Sequence, residues 1–184
     1  MPKLGMEPIR RAALVKATIA EVGDAGSLDV SVSRIAKRAG MSSALAHHYF
    51  GGKGQIFVAA MRQILTDYRK EVISALRDTD DRAAAIVTAS FAQSCFAPGV
   101  VAAWMTFYGQ AQTNPDALHL LRLYQRRLRS NLTHALRGQT PDPAGAADTL
   151  AAMIDGIYLR AASDRAGTAG ADRVLALLNL LRRA

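Results

Sequence analysis

Apolar residues recur along this chain at spacings of three and four, and nowhere do they alternate with polar ones over the roughly four to eight positions of a half-buried strand. The pattern predicts a first helix from Pro8 or Ile9 to Val22, with Ile9, Ala13, Ala17 and Ala20 on its core face. Val32, Ile35, Ala36 and Ala39 mark a second, short helix, and Ser43 to Phe50 a third, on which Ala46 and Phe50 can join Met41 in packing back. A long fourth pattern, Lys53 to about Arg77, keeps Ile56, Phe57, Ala60, Ile64, Tyr68, Val72 and Leu76 on one broad stripe. Further helices are expected over Arg82–Phe96, Val100–Gln112, Asp116–Arg137, 144–165 and Asp172–Arg183. Gly23 with Gly26, Thr79 to Asp81 and Ala97-Pro98-Gly99 supply the breaks, and Asn114-Pro115 initiates the seventh helix. The expected fold is all-α, about nine helices, with a three-helix N-terminal domain ahead of a larger C-terminal helical bundle.

Within the N-terminal part, Ser31 is placed to cap the second helix, Gly40 to end it and Ser42 to cap the third. Arg34 stands where a capping box would have Glu or Gln, and from a first turn it can reach a phosphate. Two short helices joined by a glycine turn are the signature of a helix-turn-helix, here 31–50, although an ordinary helical hairpin has the same spacing. Lys53 opens the fourth helix, where its charge and the free backbone N–H groups together favour phosphate. This reading divides the chain into a DNA-binding domain over 8–68 and a larger helical domain over 69–184, to which the resemblance described below assigns effector binding and dimerisation.

Charge strengthens it. The net formal charge is +8 and the isoelectric point about 10.1, which favours acidic partners. Residues 1–62 hold nine Lys or Arg against four Asp or Glu, the remainder fourteen against eleven, so the excess is concentrated around the helix pair. The single cysteine, Cys95, forbids an intrachain disulfide and suits a reducing compartment. The start, MPKLGMEPIRR, has no signal-peptide core, and no apolar run approaches a membrane span, so a cytoplasmic protein without membrane contact is expected. His47 and His48 are adjacent and point about 100° apart on a helix, so they do not share a metal. No CxxC or HExxH is present, and neither metal, cofactor nor enzymatic activity is expected.

The last helix is apolar nearly all round, from Val174 through Leu175, Leu177, Leu178, Leu180 and Leu181. Such a helix must be covered on several sides, by its own chain or by the same helix pair of a second copy. Two half-sites on DNA favour the second copy, with Ile154, Ala161, Ala162, Leu177, Leu178 and Leu181 at a homodimer interface.

Ser31 to Ile56 resembles the DNA-binding region of TetR-type transcriptional repressors in keeping Ile35-Ala36, Ala39-Gly40, Ser42, Phe50 and Lys53. MPKLGMEPIRR, SALAHHYFGGK, VVAAW, YQRRLRSNL and IDGIYLRAA extend the resemblance to the choline-responsive, BetI-type branch that controls glycine-betaine synthesis. The chain departs from the broader pattern at His47 and Tyr49, at Leu45-Ala46 and at Gly54. The resemblance implies a repressor of choline-to-glycine-betaine genes that leaves double-stranded operator DNA when choline binds. It places Ser33, Ser43, Ala44, His47 and His48 against base edges, and Ser31, Arg34, Tyr49 and Lys53 against the backbone, with Ser42 between them as cap. A quaternary ammonium donates no N–H hydrogen bond and must be held by aromatic faces, of which Trp is the strongest, helped by a carboxylate. Trp104 and Tyr108, four apart, with Phe91, Phe107, Tyr124, Tyr158 and Asp155, are therefore the candidate effector residues. A TetR-type repressor of a different small hydrophobic or cationic effector is the alternative.

Overall fold

The computed structural model describes residues 5–26, 29–161 and 169–183, and all regular structure among them is helical. The described helices are α1 (Met6–Ala25), α2 (Val32–Arg38), α3 (Ser43–Phe50), α4 (Lys53–Ala75), α5 (Arg82–Ser90), α6 (Pro98–Gln110), α7 (Pro115–Ala135), α8 (Pro143–Ala161) and α9 (Ala169–Leu181). None is long and apolar enough to cross a membrane. One core runs through them, from Leu14 of α1 to Leu178 of α9.

α1 begins earlier and ends later than its apolar pattern suggests. Ile9 does not join the core but stands 54% exposed, because the helix projects a turn beyond the body it packs on. Gly23 does not stop α1; Gly26, at φ 64°, does. Gly23 serves a different purpose, since a Cβ there would lie 2.5 Å from the Cα of Gly99 in α6. The two helices cross with their backbones in contact, a distance only glycine permits.

α4 is about 35 Å long at the normal helical rise, and it runs from the N-terminal helices into the C-terminal bundle. Ile56, Phe57, Ala60, Ile64 and Val72 of its stripe are buried. Phe57 meets Phe107 of α6 with ring centroids 6.4 Å apart, so α6 bears on both α1 and α4.

α5 stops at Ser90 rather than at Phe96. Tyr158 of α8 donates its hydroxyl to the carbonyl of Ser90, the acceptor that the Ser94 N–H would have used had the helix continued, and the backbone tightens through Phe91 to Thr88 and Ala92 to Ala89. Pro98, which looked like a stop, is the first residue of α6, where its missing N–H is no loss.

α8 and α9 close the bundle. Arg182, beyond α9, forks onto Asp81, the N-cap of α5, at 2.6 and 2.9 Å. Ile154 and Leu178, expected to face a partner, are 0% and 1% exposed within the single chain and belong to its own core. Leu177, Leu181 and Ala161 are half-buried, whereas Leu159 and Leu180 are 51% and 62% exposed. Ala162 lies outside the described residues.

Candidate functional site

The α2–α3 pair is held by local hydrogen bonds. Ser31 Oγ accepts from the Arg34 backbone N–H and Ser42 Oγ from that of Leu45, each at 3.2 Å. Gly40, at φ 68°, ends α2 with its N–H on Lys37 O, while Met41 N–H reaches Ala36 O at 2.9 Å. That is a Schellman ending, and it needs the left-handed residue that glycine supplies. Ile35, Ala36 and Ala46 are buried between the helices, while Ser33, Ala44, His47 and His48 are left exposed and Ser43 partly so. His47 Nδ1 lies 3.2 Å from the Gly51 carbonyl. A carbonyl only accepts, so Nδ1 carries the proton there and a neutral ring presents Nε2 as an acceptor.

Two further sequence-predicted DNA residues, Arg34 and Tyr49, are engaged by side chains of α1. Arg34 Nη2 is 2.9 Å from Glu21 Oε2, an ion pair whose angle falls short of a hydrogen bond. Arg38 pairs with the same carboxylate at 3.4 Å and with Asp24 at 2.7 Å. Tyr49 receives Arg10 on its hydroxyl at 3.3 Å and Arg11 on its carbonyl. The Arg11 guanidinium also sits 4.3 Å above the Phe50 ring. Arg10 and Arg11 therefore fasten α3 to α1, a role their scattered spacing did not reveal. Lys53 is exposed at the first position of α4.

The aromatic residues of the bundle converge on Trp104, which is 6% exposed. Its ring centroid lies 4.7 Å from Tyr124, 6.0 Å from Tyr158 and 6.2 Å from Tyr108. Phe107 is 5.7 Å away but turns into the core toward Phe57. Phe91 reaches Tyr158 at 6.0 Å rather than Trp104. Asp155 accepts from the Tyr124 hydroxyl at 3.0 Å. Burial raises its pKa above the ordinary carboxylate value, and the Tyr108 and Tyr124 hydroxyls pull it part of the way back. The Tyr108 hydroxyl is itself buried without a hydrogen bond of normal geometry. Burial, and then the nearby Asp155, push its pKa up. Burial likewise raises Tyr68 to about 12, and Tyr124 and Tyr158 well above their ordinary value, so all four phenols stay protonated at neutral pH.

Two aromatics belong here that sequence spacing missed. Phe96 packs on Tyr158 at 4.8 Å, and Tyr68 of α4 on Tyr124 at 6.2 Å while its hydroxyl meets Ser90 Oγ at 3.1 Å. The one available signal was Tyr68 itself, a polar-tipped ring in an otherwise apolar stripe. The space enclosed by Ile64, Tyr68, Ser90, Cys95, Trp104, Tyr124 and Tyr158 is only about 10 Å³, room for at most about one water. The cage residues are assembled, but closed on one another.

Residues 79–181 match the BetI-type transcriptional repressor C-terminal family, and residues 14–60 the bacterial regulatory proteins of the tetR family. The chain belongs to the BetI-type TetR repressors. It is 47% identical over 165 residues to the HTH-type transcriptional regulator BetI of Brucella anthropi, covering 87% of this chain and 85% of that one. The BetI regulator of Rhizobium meliloti is also 47% identical, over 87% of this chain and 81% of its own. Among solved structures, a transcriptional regulator from Pseudomonas aeruginosa superposes with a TM-score of 0.81 at 25% identity, covering 99% of this chain and 94% of that one. As a TetR-family regulator this BetI-type chain is a DNA-binding repressor and not an enzyme, and α2 and α3 lie in the matched N-terminal region.

Proposed function

We propose that the protein is a cytoplasmic homodimer in which residues 8–68 hold operator DNA and residues 69–184 sense choline, repressing genes that convert choline to glycine betaine. The observation that carries the choline reading is the grouping of Trp104, Tyr108, Tyr124 and Tyr158 around the half-buried Asp155. Aromatic faces attract a quaternary ammonium that offers no hydrogen-bond donor, most strongly when water is excluded. A bound cation also favours the ionised form of Asp155, which burial disfavours in its absence. The naming of 47%-identical relatives as BetI supports the same reading.

On the DNA side, Ser33, Ser43, Ala44, His47 and His48 face the major groove in this proposal, with His47 Nε2 as an acceptor for a base amino group. Lys53 holds phosphate, and Ser31 and Ser42 contribute as caps. Arg34 and Tyr49 contact the backbone only by sharing or leaving their partners Glu21 and Arg10. Across the dimer, the outer positions Ala152, Gly156 and Leu159 of α8 and Leu177 and Leu180 of α9 meet their copies, with Leu181 and Ala161 at the margin.

Because the cavity is shut, choline enters only by moving rings, and Trp104 and Tyr108 move with α6. α6 touches α1 at Gly99–Gly23 and α4 at Phe107–Phe57, so a shift there reaches both helices that carry α2 and α3. Taking a repressor from 99% to 1% competent requires choline to favour the released state by about 5.5 kcal/mol. The test is fluorescence anisotropy of the chain on its own upstream DNA, with choline titrated in. Choline is expected to release the wild type but not Trp104→Leu, which keeps apolar bulk and loses the π face. Release by other cations or by hydrophobic drugs, with none by choline, would support the alternative effector.

A further inference from the structure

A second concavity lies outside the aromatic cavity. A cleft of about 1220 Å³ opens between α4 and α7, bounded at one end by α5. Its walls carry Arg62 and Arg69 from α4, Arg82 from α5, Arg126 and Arg127 from α7 and Arg137 just beyond it. No Asp or Glu lines it. Arg129 at its edge pairs with Asp148 at 2.7 Å, whereas the other six make no ion pair among the described residues. The apolar part of its lining is Leu65, Ile73, Leu76 and Leu123, which stay partly accessible (Ile73 40%) above the buried Val72, Ile86 and Leu128.

A solvated basic face needs neither concavity nor an aliphatic lining. Six uncompensated cations around one hollow repel each other, and the lining leaves apolar surface in water. A ligand with an anionic end and an apolar body relieves both. The same charges disfavour a quaternary ammonium, so this cleft is not a second choline site. DNA is a poor match, since its backbone presents charge without an apolar body to cover that lining. We propose that the α4–α7 cleft is a binding site for a small amphipathic organic anion, an aliphatic body carrying a phosphate or carboxylate.

The cleft and the aromatic cavity share two walls, Tyr68 and Tyr124. An occupant of the cleft that touches these side chains bears on the wall of the cavity around Trp104, 4.7 Å from Tyr124. The anion therefore acts as a second input to the same bundle, and the chain's single tryptophan reports its arrival.

Decyl phosphate, below its micelle-forming range, tests the site on the full chain. Titration calorimetry is expected to show one saturable site per chain, accompanied by a change in Trp104 emission. Arg126→Gln combined with Arg127→Gln should weaken binding roughly tenfold or more. Both side chains are exposed, and thermal unfolding and operator binding of the variant should match the wild type. Arg69→Gln, on the opposite wall, should weaken it independently. Equal affinity of wild type and both variants would overturn the proposal. So would equal affinity for decanol, which lacks the charge, or for inorganic phosphate, which lacks the body. Choline release is scored in parallel on the same variants. Loss of choline response in the wild type with decyl phosphate binding intact would reject the effector reading and leave this one standing.

Discussion

The DNA-reading surface and the aromatic cavity are built in opposite ways. α2 and α3 are fixed by bonds spanning three to five residues, Ser31 to Arg34, Ser42 to Leu45 and Met41 to Ala36, and the side chains proposed to read DNA already face solvent or lie at its edge. The cavity draws Tyr68, Trp104, Tyr124 and Tyr158 from four helices, and its side chains fill it themselves. In the proposed function one region is presented ready for its partner and the other has to be opened. That difference suits a switch. A ligand shifts an equilibrium only by its unequal affinity for two states, and a cavity with room for about one water gives the closed state almost none for choline.

The contrast can be attacked first at its packing. Phe107→Ala should lower stability by about 3–5 kcal/mol, because its ring is fully buried against Phe57. Urea unfolding measures this; a loss below about 1 kcal/mol would mean that Phe107 lines a space a ligand fills rather than the core. Gly23→Ala comes next. In an open helix that change would stabilise by up to about 1 kcal/mol. Here the new Cβ meets Gly99 backbone at 2.5 Å, so destabilisation of about 1–3 kcal/mol is expected. Gly99→Ala, whose Cβ would be 3.4 Å from Gly23, should be milder. If α6 reports the cavity to α1, Gly23→Ala also changes the choline concentration needed for release. An unchanged choline midpoint in the anisotropy assay would remove α1 from the linkage.

The same opposition explains what the sequence disclosed. The limits of α3 and the caps of α2 and α3 were legible because each depends on residues within one or two turns. Trp104 and Tyr108 were legible as a pair because one helix sets their spacing. Glu21, which holds Arg34, and Arg10 and Arg11, which hold α3, come from a helix a dozen or more residues earlier, and no local pattern announces them. Ser90 ends α5 through a tyrosine 68 positions away. The α9 pattern was apolar all round, so periodicity alone had no means to separate Leu178, which its own chain buries, from Leu180, which it leaves out. Gly23 was read as a break because its contact with Gly99 of α6 comes from a distant segment, and Pro98 because a proline beside a glycine signals a stop as readily as it does a helix start.

The finest test concerns Asp155, and its sign follows from burial. In the unfolded chain this carboxyl titrates near 3.8, while in the folded chain burial raises it. Below the unfolded value both states are protonated and Asp155 costs nothing. As pH rises the unfolded chain loses its proton first, so stability falls until the folded pKa has been passed, and stays lower beyond it. Asp155→Asn has no proton to lose. Its stability advantage over the wild type should therefore grow from about pH 4 upward and level off, the plateau marking the folded pKa. Choline at saturation should move that plateau to lower pH in the wild type, because a cation beside the carboxylate favours its charged form. By linkage, choline affinity should rise with pH across the same window, and in the Asn variant it should be flat. Urea midpoints and choline titrations at several pH values from 4 to 8 measure both. Parallel curves for wild type and variant would place the charge of Asp155 outside the cage and leave the tyrosines and Trp104 to hold the cation alone.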